Sequence, residues 1–424
     1  MAAMWMGNHA TFDTYLENGD VAFSAGRLGI KRDGDDAALF VFSEHATYAG
    51  VFTTNVFKSA CVTSAMDRLR AQKKIKAVLI TSGNANAGTG PAGRADTERL
   101  AAGVAGHVGC AADEVVVLHT GVIGVPLRAE RWLGGLEGLC QLAASTPEKL
   151  ADAARAMMTT DTFPKVSARA FQVGDTSYTV WGVAKGAGMI HPKLATMLSV
   201  LVTDAPISQR TLQRVLSRVV GQTFNRISVD GDTSPNDSVL LFSTGGARME
   251  AGTAAFCGAK GTGVSGTDDG EVDEPLFEDA LRGVAQDLAH SIVRDGEGAT
   301  KFLEIVVRGA QSEADAERIA ETIATSPLVK TAFFGEDFNP GRIISAIGRA
   351  GVAVSFDRMR LTLGDQRVYD AGQFLVTAES DARRVMAMKE IPVVVELGAS
   401  EVEIRYWTCD LTFDYVKINA EYTT

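Results

Sequence analysis

Short apolar runs rich in β-branched residues recur along the whole chain and constrain its fold more than any other feature. Seven of them begin near residues 37, 77, 115, 198, 238, 302 and 391. Apolar runs of about four to eight residues bounded by turn residues are typical of buried β-strands. The chain is therefore predicted to contain a well-buried sheet.

Helical patterns lie between these runs. Apolar residues recur at helical spacing over residues 212–220 and again over residues 277–292. Ser312 and Asp315 have the spacing of a capping box at the start of a further helix. Because strands and helices mix throughout, the predicted fold class is α/β with mixed α+β character.

Composition limits the classes of function. The chain has 424 residues and a formal net charge of -11, with 41 Lys+Arg against 52 Asp+Glu and no basic run. An acidic chain of this kind is a poor candidate for binding the phosphate backbone of nucleic acids. No stretch approaches the roughly 20 apolar residues of a membrane span, and the N-terminal residues lack the pattern of a signal peptide.

Cysteine and histidine usage indicates a reduced setting without a structural metal. The cysteines are odd in number, scattered and outside any C-x-x-C pattern, which favours a cytoplasmic location; they are Cys61, Cys110, Cys140, Cys257 and Cys409. The six histidines show no ligand spacing, so we expect no metal site. His119 and His191 lie near the segments described below and are candidates to line a pocket.

Two glycine patterns of the form G-x-G-x-x-G are interpreted as turn glycines rather than dinucleotide sites. The first spans residues 88–93, contains Pro91 and is separated from the preceding predicted strand by several residues. The second, at 261–266, lies in the Gly-rich and then acidic stretch 251–275. That stretch is predicted to form an exposed insertion.

The most informative block is WGVAKGAGMIHPKLATMLSVLVTDA, residues 181–205. Glycines bracket Lys185, the pair Ala195–Thr196 follows Pro192, and an apolar run comes next. From composition alone, the block reads as a glycine turn that leads into a buried strand.

Residues 185–198, KGAGMIHPKLATML, resemble the signature of the ornithine acetyltransferase family, also called glutamate N-acetyltransferases. Eight more segments are similar to segments of the same family. They are AGVFTTN at 49–55, SGNANAGTG at 82–90, HTGVIG at 119–124, MTTDTFPK at 158–165, FNRISVDGDTSPND at 224–237, RDGEGATK at 294–301, SPLVKTA at 326–332 and NAEYTT at 419–424.

The resemblance implies that the chain cuts its own backbone between Ala195 and Thr196. The products would be chains 1–195 and 196–424, joined in one interwoven body with an N-terminal-nucleophile-like fold. Thr196 would become a new N-terminus and the acyl-carrying nucleophile. An α-amine has an ordinary pKa of roughly 7.7–8.0, so it can accept the proton of the Thr196 hydroxyl near neutral pH.

The resemblance also assigns the remaining site residues. Thr120 and Gly121 match the family's oxyanion donors, whose hydroxyl and backbone N–H hold a developing negative charge. The substrate-binding positions match Lys185 and Glu297, which supply one cation and one anion for an amino acid. Further substrate contacts match Thr162, Asn419 and Thr424, in addition to Thr196.

The implied reaction is a ping-pong acyl transfer of arginine biosynthesis. Thr196 takes an acetyl group from N-acetylornithine, and glutamate then accepts it to give N-acetylglutamate. No cofactor is expected, although some family members use acetyl-CoA as an alternative donor. The two cleaved chains are expected to remain associated and to form a larger assembly such as a heterotetramer, with no nucleic-acid or membrane partner.

Several residues depart from the family pattern and leave other functions open. His119 replaces Ser before the oxyanion Thr, while His191 and Lys193 replace Ala and Asn around the Pro of the central block. Phe338 and Pro340 replace residues of the segment D-P-N-W-G-R. The alternatives are a transferase with a different acyl group or acceptor, a hydrolase that gives its acyl group to water, and an uncleaved relative without catalytic activity.

Overall fold

The computed structural model describes residues 4–7, 15–191, 197–245 and 274–421. Ala195, Thr196, Lys193 and Thr424 lie outside these ranges, as does the predicted insertion 251–275 except for its last two residues. Those two residues, 274 and 275, begin a helix rather than end a loop.

The chain divides into two compact units, and each contains residues from both sides of the predicted cleavage point. The first unit consists of Met1–Lys185, Lys193–Thr223 and Ser234–Leu288, and the second of Gly186–Pro192, Phe224–Thr233 and Ala289–Thr424. This division differs from the predicted chains 1–195 and 196–424. That these chains form one interwoven catalytic body stays a prediction.

The strands of the described residues are numbered in chain order. They are β1 Met4–Gly7, β2 Val21–Gly26, β3 Ala37–Phe52, β4 Ile75–Asn84, β5 Val115–Val122, β6 Lys165–Val173, β7 Thr176–Lys185, β8 Leu198–Thr203, β9 Ile227–Ser228, β10 Ser238–Ser243, β11 Phe302–Arg308, β12 Arg360–Leu363, β13 Gln366–Asp370, β14 Gln373–Phe374, β15 Glu390–Glu396 and β16 Glu403–Cys409. All seven apolar runs identified in the sequence fall within these strands, which confirms the predicted sheet.

The helices are numbered in the same way. They are α1 Ala60–Arg70, α2 Gly90–Val108, α3 Leu136–Gln141, α4 Pro147–Met157, α5 Gln209–Gln222, α6 Glu274–Arg294, α7 Glu313–Ala324, α8 Pro327–Phe334, α9 Pro340–Gly348, α10 Glu379–Met386 and α11 Phe413–Glu421. Short 3-10 turns occur at Ala112–Glu114, Ala129–Arg131, Leu133–Gly135 and Phe224–Arg226. Within the described ranges, no helix combines the length and the apolar character needed to cross a membrane.

The first unit is built on a mixed sheet that the described residues form in the order β1-β6-β7-β8-β10-β3-β4-β5, with β2 paired to β3. The long strand β3 pairs with β2 and β4 through its first part and with β10 through its last part. Apolar side chains from both parts of the sheet fill one core, which includes Phe40, Leu118, Trp181, Val200 and Leu240.

Strand β8, which begins two residues after Thr196, is held between two neighbours in this sheet. It runs antiparallel to β7 and parallel to β10. In this register Leu198 lies beside Lys185 on one side and beside Ser238 on the other. Every residue of β8 is buried, which explains its continuous apolar sequence.

The second unit contains a sheet in the order β14-β13-β12-β15-β11-β16-β9 within the described residues. Its helices α7, α8 and α9 supply the side chains Ile319, Val329 and Ile347 to a core that also contains Ile305 and Val393 of the sheet. Both units mix parallel and antiparallel pairs with helices, so the predicted α/β class is confirmed.

The predicted capping box at the start of α7 is half formed. The Ser312 hydroxyl accepts a hydrogen bond from the backbone N–H of Asp315 at 3.1 Å, as the pattern requires. The Asp315 carboxylate, however, accepts from the Ser312 hydroxyl at 2.9 Å instead of from a backbone N–H. The helix therefore gains one cap and not the reciprocal pair.

The unusual segment around Pro340 forms a helix start. Pro340 is the first residue of α9, a position where its missing N–H costs no intrahelical bond. The side chain of Asn339 caps the helix by accepting from the N–H of Arg342 at 3.3 Å. Phe338 packs against the core of the second unit. These substitutions therefore have a local structural explanation.

The space around two glycines of α2 predicts that substitution by alanine has opposite effects on stability at the two positions. A Cβ at Gly93 would lie 1.9 Å from Oγ1 and 2.7 Å from Cβ of Thr89, whereas a Cβ at Gly106 would have nothing within 4 Å. We expect Gly93→Ala to destabilise the protein by about 1–3 kcal/mol through overpacking. Gly106→Ala should stabilise it by roughly 0.5–1 kcal/mol because alanine loses less backbone entropy in a helix.

Urea denaturation of both variants beside the unmodified protein measures this contrast. Equal effects of the two substitutions would contradict the tight turn ahead of α2 and the interpretation of this glycine pattern as structural.

Candidate active site

A buried lysine connects three of the sequence motifs in the first unit. Lys185 is the last residue of β7, and its side chain is 2% exposed. Its Nζ donates to Oγ1 of Thr159 at 2.9 Å and to Oγ1 of Thr120 at 3.3 Å. The same Nζ lies 3.9 Å from Oδ2 of Asp161. The segments HTGVIG, MTTDTFPK and KGAG thus meet at one ammonium group.

Two buried ammonium groups lie near one buried carboxylate in this region. Asp161 forms its closer ion pair with Nζ of Lys165 at 2.7 Å, and both of these side chains are fully buried. One buried carboxylate therefore faces two buried ammonium groups. Burial also lowers the pKa of Lys31; the carboxylate of Asp36 opposes this shift, and the charge of Lys185 adds to it. The positive charge of Lys185 suits an anionic group of a ligand.

The hydrogen bond from Lys185 determines how the Thr120 hydroxyl can act. An ammonium group can only donate, so Oγ1 of Thr120 accepts in this bond. The hydroxyl proton of Thr120 is then directed to another acceptor. A hydroxyl polarised by a neighbouring cation is a suitable donor to a developing oxyanion.

Gly121 occupies a position that excludes any side chain. Its φ is +133°, and a Cβ at this residue would lie 2.3 Å from the carbonyl carbon of Gly83. The pairing of β4 and β5 shifts register at this point, between Gly83 and Asn84. The close approach of the two backbones therefore requires glycine beside Thr120, independently of any catalytic role.

His119, immediately before Thr120, is packed inside the protein. It is 0% exposed, and its ring nitrogens lie 2.7 Å from Oγ1 of Thr81 and 3.3 Å from Oγ1 of Thr97. Burial lowers the pKa of the imidazole to about 3, so the ring is neutral at physiological pH. In this structure His119 joins β5 to β4 and α2 rather than lining a pocket.

Two consecutive residues just before β10, Asn236 and Asp237, form hydrogen bonds to neighbouring parts of the first unit. The side-chain amide of Asn236 donates to the carbonyl oxygens of Ala85 at 2.6 Å and of His119 at 2.8 Å. Oδ1 of Asp237 accepts from the backbone N–H of Met197 at 2.9 Å. The residue after the candidate nucleophile is therefore anchored by a buried carboxyl group.

A second group of motif residues meets in the second unit. The amide nitrogen of Asn419 donates to Oε2 of Glu297 at 2.7 Å, and the backbone N–H of Glu297 donates to the carbonyl of Ala187 at 2.9 Å. A Cβ at Gly188 would lie 2.4 Å from the carboxyl carbon of Glu297. The second glycine of KGAG thus leaves the space that this carboxylate occupies.

Asp230 fixes the residues that follow Gly188. Its carboxylate accepts from the backbone N–H groups of Met189 at 2.5 Å and of Ile190 at 2.9 Å. The hydroxyl of Tyr415, on the same helix as Asn419, donates to it at 3.4 Å. Burial raises the pKa of Tyr415, and the neighbouring carboxylates raise it further, so this hydroxyl stays protonated.

The remaining predicted site residues have different outcomes. Thr162 lies in an exposed turn, while Thr159 of the same motif is the residue that contacts Lys185. His191 is partly buried, and its Nε2 lies 3.2 Å from Oε1 of Glu321. Thr196, Ala195 and Thr424 lie outside the described residues, so their roles stay predictions.

Sequence reasoning missed several polar residues that the structure places beside the predicted ones. The signal was weak, because a charged residue next to an apolar run usually marks a surface. Asp161 and Lys165 lie four positions apart in the sequence, and this spacing was one available indication of an ion pair. The missed residues are Thr159, Asp161, Lys165, Asp230, Asn236, Asp237 and Tyr415.

The acidic, cysteine and histidine side chains of the described ranges form no cluster of three or more that could hold a metal ion.

Comparison with known proteins gives matches along nearly the full chain. A family model described as the ArgJ family matches residues 22–424. The arginine biosynthesis bifunctional protein ArgJ of Agrobacterium fabrum is 42% identical over 407 residues, covering 95% of this chain and 94% of that protein. The protein of the same name from Geobacter sulfurreducens is 43% identical over 405 residues, covering 95% of this chain and 98% of that protein.

Two solved structures are also similar in sequence. The arginine biosynthesis bifunctional protein argJ of Bacillus halodurans is 38% identical, covering 54% of this chain and 100% of that chain, with a TM-score of 0.47. The ornithine acetyltransferase of Mycobacterium tuberculosis, solved in complex with ornithine, is 33% identical, covering 42% of this chain and 93% of that chain, with a TM-score of 0.36.

The buried state of His119 predicts a specific dependence of stability on pH. The pKa of its imidazole is about 3 in the folded protein, against 6.5 when it is exposed, so the unfolded chain binds the extra proton first. Stability is therefore full above about pH 6.5 and is lost as the pH falls from there towards 3. Between pH 7 and pH 5 this single group should cost the protein about 2 kcal/mol.

Urea unfolding at pH 7, 6 and 5 gives the free energy of unfolding of the unmodified protein and of its variants, and the effect of His119 is the difference between them. The variant His119→Asn should lose about 2 kcal/mol less than the unmodified protein over this range. The same substitution at His107, which is exposed on α2, is the control and should leave the pH dependence unchanged. Parallel curves for the unmodified protein and His119→Asn would contradict a neutral buried imidazole.

Proposed function

The chain belongs to the ArgJ family, and from that premise we propose that it is a self-processing acyltransferase of arginine biosynthesis that moves an acetyl group from N-acetylornithine to glutamate. One observation carries the proposal beyond the family: the buried ammonium of Lys185 lies beside the hydroxyl of Thr120. This arrangement provides a polarised donor and a positive charge where acyl transfer develops an oxyanion.

In the proposed self-cleavage, the hydroxyl of Thr196 attacks the carbonyl carbon of Ala195. The Ala195–Thr196 amide becomes an ester as the amine of Thr196 leaves with a proton, and water then hydrolyses the ester. The products are chains 1–195 and 196–424. Because β8 pairs with β7 before the cut and with β10 after it, hydrogen bonds of one sheet support continued association of the two chains.

In each half of the transfer reaction, the α-amine of Thr196 accepts the hydroxyl proton while the oxygen attacks an acetyl carbonyl. Thr120 and Gly121 then donate hydrogen bonds to the oxygen that becomes negative. The amine of ornithine leaves with the proton, and the amine of glutamate later attacks the acetyl ester by the reverse of these steps. The acetyl group is the only group that becomes covalently bonded to the enzyme during the transfer.

The substrate-binding assignments follow the charges of the described residues. Lys185 provides positive charge for an anionic group of an amino acid. Glu297 provides a carboxylate for an amine, and the amide of Asn419 holds that carboxylate in place. Thr162 and Thr424 are proposed as further substrate contacts.

The cellular setting and the assembly are part of the proposal. The described cysteines Cys61, Cys110, Cys140 and Cys409 are free thiols, which supports a reducing, cytoplasmic location. No cofactor is proposed, and acetyl-CoA is an alternative acyl donor. Association of the two-chain unit into a heterotetramer is also proposed.

Intact mass under denaturing conditions tests self-cleavage. The unmodified protein should give two species, one ending at Ala195 and one beginning at Thr196, because the nucleophile needs a free α-amine. Thr196→Ala removes the attacking hydroxyl and should remain a single chain of 44.9 kDa. An unmodified protein that transfers acetyl groups as one uncut chain would rule out this mechanism.

The products formed from N-acetylornithine identify the acceptor. Incubation with glutamate should yield N-acetylglutamate and ornithine in equal amounts. Release of acetate at a rate that glutamate does not change would instead establish a hydrolase. Replacing N-acetylornithine by acetyl-CoA in the same assay shows whether the second donor is used.

The oxyanion assignment predicts the effect of Thr120→Val. Valine keeps the shape of threonine and removes the donor, so kcat should fall about 10²–10³-fold. KM should change little, since the donor acts on charge that appears in the transition state. Rates are expressed per mole of cleaved protein, which separates transfer from self-cleavage.

The matched control is Thr322→Val, because the hydroxyl of Thr322 hydrogen-bonds to Arg318 within its own helix. This variant should retain the kcat of the unmodified protein. An unchanged kcat in Thr120→Val would remove Thr120 from the oxyanion site.

A further inference from the structure

Met197, the residue that follows the candidate nucleophile, is hydrogen-bonded through both its N–H and its carbonyl oxygen. The N–H of Met197 donates to Oδ1 of Asp237 at 2.9 Å, and its carbonyl oxygen accepts from the N–H of Ser238 at 3.2 Å. Met197 is 1% exposed. Asp237, just before β10, and Ser238, its first residue, therefore fix the backbone of Met197.

Asp237 is unusual among the acidic residues of the first unit. It is fully buried, and its Oδ2 has no hydrogen-bond partner within the part of the chain that the structure describes. Burial raises the pKa of this carboxyl group well above its usual range, and the N–H of Met197, the nearby charge of Lys185 and the backbone of Ser234 partly oppose that shift. A buried carboxyl with one unsatisfied oxygen costs stability, which makes Asp237 a candidate for a functional role.

Asn236 extends the same arrangement towards the oxyanion donors. Its side-chain amide holds the carbonyl oxygen of His119, which belongs to the peptide group that continues into Thr120. The side chain of Asn236 thus holds β5, the strand of the candidate oxyanion donors, and the side chain of Asp237 holds Met197. Because the two residues are neighbours, the backbone between them sets the distance between these two hydrogen-bonded groups.

We propose that Asp237 is a positioning residue for the nucleophile: by holding the N–H of Met197, it fixes the place of Thr196 relative to Thr120 and Gly121. The proposal rests on the proposed function, because it requires Thr196 to be the nucleophile. Asp237 exchanges no proton in this role and acts as a hydrogen-bond acceptor. Misplacement of a reacting group by about 1 Å can lower a rate by roughly 10²-fold.

Two substitutions of similar shape separate this role from a proton-transfer role. Asn presents a carbonyl oxygen to the N–H of Met197, as the carboxyl group does, but it does not titrate. Leu has the same branching at Cγ and offers no acceptor. A positioning role therefore requires that Asp237→Asn retains function and that Asp237→Leu loses it.

Asp204 provides a matched control at the other end of β8. Its Oδ1 accepts from the backbone N–H of Thr179 at 2.7 Å, so Asp204→Leu also removes an acceptor from a strand N–H. Six residues of strand, or about 20 Å, separate this end from the end beside Thr196. Loss of an acceptor at Asp204 should leave the geometry of the nucleophile intact.

The experiment measures the rate of self-cleavage by intact mass, and kcat and KM of the cleaved protein across pH. Asp237→Leu should cleave itself and transfer acetyl groups about 10²-fold more slowly, with KM within about twofold of the unmodified protein. Asp237→Asn should stay within about threefold of the unmodified protein and keep its pH profile, and Asp204→Leu should behave likewise.

Three results would overturn the proposal. Full activity of Asp237→Leu would show that the anchor is not needed, and equal loss in Asp204→Leu would show general damage. Equal loss in Asp237→Asn and Asp237→Leu would show that the acid itself reacts. If Asp237→Leu does not fold, Asp237→Asn decides: a folded, cleaved and active variant supports the proposal, and a folded but uncleaved one overturns it.

The same experiment separates this proposal from the proposed function. An unmodified protein that stays uncut and transfers no acetyl group removes both. A cleaved and active unmodified protein with a fully active Asp237→Leu variant removes the positioning role alone.

Discussion

The buried ammonium group of Lys185 is the interaction on which the candidate site of the first unit depends. An ammonium group taken out of water must have its three donors satisfied or its charge compensated. Thr120, Thr159 and Asp161 supply these partners from two distant segments of the chain. Asp161 also pairs with Lys165, so the two buried ammonium groups share this carboxylate.

The sheet around β8 explains how a chain can be cut close to its own core and keep its structure. The strand after the proposed cleavage point is buried along its whole length and hydrogen-bonded on both edges. A break in the backbone just before it removes one covalent bond and leaves those ladders in place. Asp237 and Ser238 add two further bonds at Met197, where a new chain end would otherwise fray.

Two of the substitutions that depart from the family pattern, His119 and Pro340, have local structural explanations. His119 is a neutral bridge between Thr81 and Thr97, so it adds no charge beside Thr120. Pro340 starts a helix that Asn339 caps. His191 lies beside Glu321 in the second unit and contacts Ser228 at 3.5 Å. Altered substrate choice is therefore not required to account for His119 or Pro340.

The sequence by itself determined seven of the strands, three of the helices and the family, because these follow from local periodicity, from a capping pattern and from long matched segments. Resemblance to the family also predicted site roles for Thr120, Gly121, Lys185, Glu297 and Asn419, and these roles stay predictions. Only the tertiary structure decided which groups meet. Within one motif it placed Thr159 against Lys185 and left Thr162 exposed, and it brought Asp237 to Met197 across forty positions. Such pairs depend on strand register and burial, and no local pattern of residues records them.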